Sequence, residues 1–291
     1  MKILGTGLAG LIGSRITDLL KDRYEFENLS ISTGFDITQK QVVENKIASS
    51  DASIVLHLAA KTDVDGCEKD REEGVNGAAW RINVEGTRNI VEVCQKSGKK
   101  IIYFSTDFVF NGEKEEPYSE LDEPDPINWY AKTKFEGEKI VGNSGAPYII
   151  VRTAYPYRAI FAEKPDFVRT ILKKLKDRES IIAVSDHIMT PTLIDDIAKA
   201  LDVLIKNKSD GKFHVVGSQY VSPFDAALSI ADTFGFDKSL VQKTTREEYF
   251  RNKATRPFHL ALRNDKIEKL GIKMKSFEQG LLQIKKQIKE L

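Results

Sequence analysis

Short apolar runs alternate along the first half of this chain with longer stretches whose apolar positions recur every three or four residues. Met1-Lys2-Ile3-Leu4 reads as a short buried strand, and a glycine-rich turn separates it from Ile16-Thr17-Asp18-Leu19-Leu20, which has helical spacing. A second strand is predicted over 26–32, Thr38 as the cap of a helix over 39–48, and a third strand over 53–58. A long helix over 78–97 stops at Gly98, a fourth strand covers 100–105, and a polar loop over 111–126 leads into a helix carrying Tyr130 and Lys134. A fifth strand follows over 147–152. Strand-helix alternation of this kind predicts an α/β fold with a doubly wound parallel sheet.

Past Arg152 the pattern loosens. Helices are predicted over 166–178 and 193–207, a strand over 211–216, and a helix opened by Ser222-Pro223 that ends before Gly235. The last element, 277–291, places Leu281, Leu282, Ile284 and Ile288 among lysines and reads as a docked terminal helix. The expected organisation is a dinucleotide-binding domain over 1–152, with 192–216 returning to it, and a smaller substrate-binding lobe from 153–191 and 217–291.

Composition narrows the function classes. Lys plus Arg number 44 against 43 Asp plus Glu, so no global field points to nucleic acid. No apolar run reaches membrane-spanning length, and glycines with an early Arg15 stand where a signal peptide would be unbroken and apolar, so a cytoplasmic protein is expected. Cys67 and Cys94 are too few for a disulfide framework, and His57, His187, His214 and His259 lack metal-ligand spacing.

Two motifs carry chemistry. Gly7-Leu8-Ala9-Gly10-Leu11-Ile12-Gly13 lies between a strand and a helix, where glycines let the backbone turn tightly against a pyrophosphate and the helix N-terminus offers N–H groups to it. Tyr130 and Lys134 are four apart on one helix, which predicts an ammonium beside a phenol, favouring the phenolate and making Tyr130 an acid/base. The Tyr-Lys spacing alone fits many solvated helix faces; the glycine turn in the same chain gives it meaning.

Further segments extend the pattern: 58–65 with Glu68, then Asn83 with Gly86 and Thr87, then Ser105-Thr106-Asp107-Phe108-Val109-Phe110, Arg152-Thr153, Pro191-Thr192 with Asp196, and Arg256-Pro257. In this order they resemble the extended short-chain dehydrogenase/reductases, most closely the dTDP-4-dehydrorhamnose reductases, over nearly the whole chain. The resemblance implies a Rossmann sheet with a C-terminal substrate lobe, NADPH or NADH as cofactor, and a nucleotide-linked 4-keto-6-deoxy sugar as substrate, most simply dTDP-4-dehydrorhamnose reduced to dTDP-rhamnose. It leaves room for a homodimer. Thr106, Tyr130 and Lys134 would be the catalytic set. The cofactor would meet Gly7, Gly10, Leu11, Ile12, Gly13, Asp36, Ile37, Leu58, Ala59 and Ala60 as well as Tyr130 and Lys134. Thr106, Asp107, Phe108, Tyr155 and Arg256 would meet the sugar nucleotide.

Departures from the family pattern are informative. Related dehydratases have Glu where Phe108 stands; Phe108 cannot take a proton, which favours ketone reduction over dehydration. The expected end of the second strand, Ser30-Ile31-Ser32-Thr33, has neither an acid to repel a 2′-phosphate nor an Arg to demand one, so NADPH is permitted. Tyr155 replaces a frequent Trp, and His259 and Arg263 replace common Asn and Asp. Arg15 stands where some members have a metal-binding Glu, so no metal is expected. Two alternatives stay open: a non-catalytic regulatory protein similar to the β subunit of methionine adenosyltransferase, and a sugar-nucleotide epimerase.

Overall fold

The computed structural model describes residues 1–290. Its elements run β1 (Lys2–Thr6), α1 (Leu11–Leu20), β2 (Glu25–Leu29), α2 (Lys40–Ala48), β3 (Ile54–His57), α3 (Val64–Lys69), α4 (Ala78–Trp80), α5 (Gly86–Ser97), β4 (Lys100–Thr106), α6 (Trp129–Gly142) and β5 (Tyr148–Thr153). They continue through β6 (Pro156–Tyr157), α7 (Phe167–Lys176), β7 (Ile181–Val184), β8 (Thr192–Leu193), α8 (Ile194–Lys206), β9 (Gly211–His214), α9 (Pro223–Phe234), β10 (Val241–Thr244), α10 (Arg246–Tyr249), α11 (Asp265–Glu268) and α12 (Phe277–Lys289). Two compact units result. The first comprises Met1–Val109, Pro124–Arg152 and Leu204–Phe213; the second comprises Phe110–Glu123, Thr153–Val203 and the chain from His214 onward.

The first unit is built on a six-stranded sheet in the order β2-β1-β3-β4-β5-β9. Parallel pairing sets Ile3 opposite both Phe26 and Ile54, and Leu56 opposite Ile102. Strands β1, β3 and β4 are almost wholly buried, which is why they read as unbroken apolar runs: helices cover both faces of such a sheet. Leu4, Val55, Ile101 and Ile150 pack with Val43 and Ile47 of α2 and Ile90, Val91 and Val93 of α5. Each fully buried aliphatic side chain contributes roughly 1.5–3 kcal/mol. The strand order reverses between β1 and β3, the position at which doubly wound sheets bind ligands.

Three local expectations are corrected. The second strand ends at Leu29, because Ser30 and Thr33 form a reciprocal capping box around a 3-10 turn at Ile31–Thr33, which Gly34 closes at φ 77°. Their hydroxyls offer the backbone an alternative to the sheet ladder. Thr38 does not cap α2: its hydroxyl and N–H both donate to Asp36 Oδ1, at 2.8 and 2.9 Å, and Gln39 becomes the N-cap. The helix expected over 78–97 is interrupted by a π-helical stretch, Arg81–Glu85, between α4 and α5, although Gly98 ends it at φ 65° as the pattern requires.

The second unit holds two short parallel pairings, β6 with β8 and β7 with β10, too short to leave a periodic signature. Its core joins Tyr157, Leu175, Ile181, Val221, Ile230 and Phe277. Helix α12 starts at a Ser276/Gln279 capping box and buries Phe277, Leu281 and Ile284, so it is docked as expected. Leu282 and Ile288, counted with its apolar face, are instead 62% and 39% exposed. Leu291, the expected last residue of this helix, lies outside the described residues.

Candidate active site

The glycine turn is shaped by contacts that no side chain could share. Gly7 has φ 71°, and a Cβ there would lie 2.7 Å from the backbone nitrogen of Ala59; one on Gly13 would lie 2.5 Å from Gly7 O. The turn is thereby pressed against the chain leaving β3, where Leu58 N donates to Thr6 O at 3.0 Å. Gly10 is the N-cap of α1, with no side-chain cap and no acidic residue in the first turn. Such a helix end suits an anion. The turn therefore sets Gly7 against Leu58 and Ala59, with Gly10, Leu11, Ile12 and Gly13 opening α1 beside it, and Ala60 follows Ala59 in the chain. Asp36 and Ile37 lie beyond β2; Asp36 is engaged by Thr38, and the Ile37 carbonyl accepts Asn89 Nδ2 at 2.9 Å.

At the end of β4, Thr106 Oγ1 is 3.0 Å from Asp107 Oδ1 and accepts Phe108 N–H at 3.3 Å. Its hydroxyl is near enough to the Tyr130 phenol to lower that group's pKa. Asn128 caps α6 by accepting Ala131 N–H at 2.9 Å, and Glu68 accepts Trp129 N–H at 2.8 Å, which fixes the first turn from which Tyr130 projects. The edge of one ring meets the other where Phe108 and Tyr130 pack, with centroids 6.1 Å apart. Thr106, Asp107, Phe108, Tyr130 and Lys134 thus lie in one unit and are buried.

Electrostatics depart from the expected pairing. Burial pushes the Tyr130 phenol above its ordinary range, with Thr106 opposing, so the phenol is held protonated. Lys134, only 4% exposed, has its Nζ 4.2 Å from the Tyr103 ring centroid and is not among the groups that shift Tyr130. The expectation that Lys134 favours the phenolate is therefore corrected for this structure: burial is the largest influence on the phenol, and it favours the protonated form. Burial also lowers Lys134 to about 7 against the pull of Glu138, and raises Asp107 to about 7.

Several residues that hold the site were given no role from sequence. Glu138 pairs bidentately with Arg152, at 2.9 and 2.7 Å, and both are buried. Tyr130, Lys134 and Glu138 follow one another at intervals of four on α6, so the same helical spacing could have revealed the third. Asn83, in the π-helical stretch, accepts Lys61 N–H at 2.8 Å and donates to Lys61 O at 3.0 Å and Thr133 Oγ1 at 2.9 Å; Thr133 in turn donates to Tyr130 O. The chain beyond β3 is tied in this way to the helix bearing Tyr130. His57 has a single tautomer: Thr87 donates its proton to Asn83 O, so His57 Nε2–H donates to Thr87 Oγ1 at 3.0 Å and Nδ1 accepts from Thr6 Oγ1 at 2.7 Å. Burial lowers His57 to about 3.

Tyr155 and Arg256 belong to the second unit. Tyr155 has φ 40°, a left-handed conformation that strains a bulky residue. His187 Nδ1–H donates to Pro257 O at 2.7 Å, so its Nε2 accepts the Tyr155 hydroxyl at 2.9 Å. The Arg256 guanidinium lies over the Phe250 ring at 4.8 Å and donates to Ala254 O at 2.6 Å. Among the described residues no group of three or more His, Cys, Asp or Glu is placed to hold a metal, and no helix is long and apolar enough to cross a membrane.

The sheet order, the glycine cradle at its switch point and the helix bearing Tyr130 and Lys134 define a Rossmann-type oxidoreductase of the short-chain dehydrogenase/reductase class. Within that class the chain belongs to the family described as the RmlD substrate binding domain, whose model matches residues 1–290. It is 31% identical to the spore coat polysaccharide biosynthesis protein SpsK of Bacillus subtilis, over 96% of this chain and 95% of that one. Its structure is similar to that of a dTDP-4-dehydrorhamnose reductase of Clostridium acetobutylicum, with TM-score 0.89 and 32% identity over 99% and 100% of the two chains. A dTDP-4-dehydrorhamnose reductase of Bacillus anthracis in complex with NADP is similar at TM-score 0.89 and 30% identity, over 98% and 99%.

Proposed function

We propose that this protein is a cytoplasmic NADPH- or NADH-dependent reductase of a nucleotide-linked 4-keto-6-deoxy sugar, dTDP-4-dehydrorhamnose to dTDP-rhamnose. The observation that carries the reading is a buried Tyr130 phenol, held protonated with Thr106 acting on it from a strand end, in the same unit as the glycine cradle. Reduction of a ketone needs an acid in its protonated form, and burial keeps Tyr130 in that form. Tyr130 gives its proton to the carbonyl oxygen, and the Thr106 hydroxyl stabilises the charge developing there. Gly7, Gly10, Leu11, Ile12 and Gly13 would hold the pyrophosphate, Asp36 and Ile37 the adenine side, and Leu58, Ala59, Ala60 and Lys134 the nicotinamide side. A reduced nicotinamide bound there supplies the hydride. Ser30, Ser32 and Thr33, beyond β2, carry no charge that would repel a 2′-phosphate. Phe108, Tyr155 and Arg256 are assigned to the sugar nucleotide, and the absence of an acid at Phe108 favours reduction over dehydration.

Oxidation of NADPH and of NADH with a panel of nucleotide-linked keto sugars tests the reading. Turnover with a 4-keto-6-deoxy sugar is expected. A wild-type protein that binds dinucleotide yet reduces none of them would leave a regulatory role as the better account.

A further inference from the structure

Asp107 is only 2% exposed, and its Oδ2 has no hydrogen-bond partner. Its other oxygen faces Thr106 Oγ1 at 3.0 Å. An ionised carboxylate buried with one oxygen unsatisfied would carry a large desolvation cost, whereas the neutral acid has one fewer lone pair to satisfy and a proton to give. Thr106 Oγ1 has one proton and two lone pairs. One lone pair accepts Phe108 N–H. If Asp107 were ionised, the Thr106 proton would be drawn to it, leaving Thr106 only an acceptor toward Tyr130 and the substrate. If Asp107 is neutral, its O–H fills the second lone pair and the Thr106 proton is released.

We propose that neutral Asp107 is a positioning residue: its carboxylic O–H donates to Thr106 Oγ1, so that the Thr106 and Tyr130 protons both point at the substrate's carbonyl oxygen. The inference rests on the ketone-reductase reading above. Asp107 keeps its proton throughout. The Tyr130 O–H bond breaks, the product O–H bond forms, and the hydride comes from the reduced nicotinamide. The titratable groups acting on this pair are few: the Cys67 thiol of α3 and Asp107 itself act on Tyr130, while Lys134 is set by burial and Glu138. Burial raises Asp107 to about 7 with only Thr106 and two backbone amides opposing, so its proton is lost just above neutral pH.

The test is the pH profile of kcat/KM for the keto sugar that wild type reduces, measured for wild type, Asp107→Asn and Asp107→Leu. Wild type should fall as pH rises through about 7, by about a hundredfold two pH units higher. In the Asp107→Asn variant the side-chain amide N–H would donate to Thr106 without titrating, so that variant should lose this fall. Asp107→Leu has no donor and should lose about 10²–10³-fold at every pH, mainly in kcat. An Asp107→Asn profile that falls like wild type, as titration of Lys134 would produce, overturns the proposal, and so does an Asp107→Leu variant with wild-type turnover. Infrared difference spectroscopy of the protein without substrate gives an independent reading, expected to show a carboxylic-acid carbonyl band below pH 7 that Asp107→Asn removes. Absence of any such band in wild type rejects the neutral carboxyl even if no keto sugar is turned over. Wild type that shows the band but reduces no keto sugar sinks the reductase reading instead.

Discussion

Tyr130 in the first unit and Tyr155 in the second are the same side chain put to opposite uses. Tyr130 sits on a regular helix whose first turn is capped by Asn128 and Glu68, and its phenol keeps its proton because burial disfavours the anion. Tyr155 sits at φ 40°, and its hydroxyl proton is committed to a histidine whose tautomer is set by the Pro257 carbonyl. One phenol is available as an acid; the other is a ring held in place by its hydroxyl. A tyrosine's role therefore follows from where its proton already goes.

The largest expected effect tests the first half of that contrast. Tyr130→Phe should lower turnover by roughly two to four orders of magnitude while dinucleotide affinity, measured by fluorescence titration, survives. Normal turnover in this variant would remove Tyr130 as the proton donor. Next in size is the buried ion pair beneath the same helix. Arg152→Leu leaves the Glu138 carboxylate buried without its partner and should cost about 3–5 kcal/mol in urea denaturation, with Arg152→Leu/Glu138→Leu recovering much of it. A single variant as stable as wild type would mean that Glu138 is relieved elsewhere.

Acid sensitivity compares the two units directly, since each buries a neutral imidazole. His57 is lowered to about 3 and His187 to about 4, both chiefly by burial. The unfolded chain binds protons from about pH 6.5 downward while the folded imidazoles do not, so the stability they contribute is whole above pH 6.5 and fades as pH falls toward their folded values. For His187 this amounts to about 3 kcal/mol. Denaturation midpoints should drop below pH 6, and His187→Gln should flatten part of that slope; an unaltered slope would mean that His187 does not report on the second unit. The smallest effect belongs to Tyr155→Phe, which leaves His187 Nε2 without its donor. A destabilisation of about 1–2 kcal/mol is expected, with a loss in kcat far short of that for Tyr130→Phe. A loss of equal size would erase the distinction between the two phenols.

What could be read without tertiary structure was whatever the backbone period and the glycine requirement encode locally. Buried parallel strands are apolar on both faces, the glycine cradle demands residues without Cβ, and four-residue spacing puts Tyr130, Lys134 and Glu138 on one face of α6; each is a property of neighbouring residues. The errors came where side chains redirect the backbone. Ser30 and Thr33 closed a turn inside an expected strand, and Thr38 spent its hydroxyl on Asp36 instead of on α2. The π-helical stretch around Asn83 carries no periodic signature because its partners, Lys61 and Thr133, lie 22 and 50 residues away. The sequence by itself determined the first five strands of the sheet, the glycine turn and the placing of Tyr130 and Lys134 on one helix. Only the tertiary structure decided the direction in which the pKa values of Tyr130, Lys134 and Asp107 shift and the fixing of Tyr155, because desolvation and long-range hydrogen bonds depend on which groups exclude water from one another, and spacing along the chain does not contain that information.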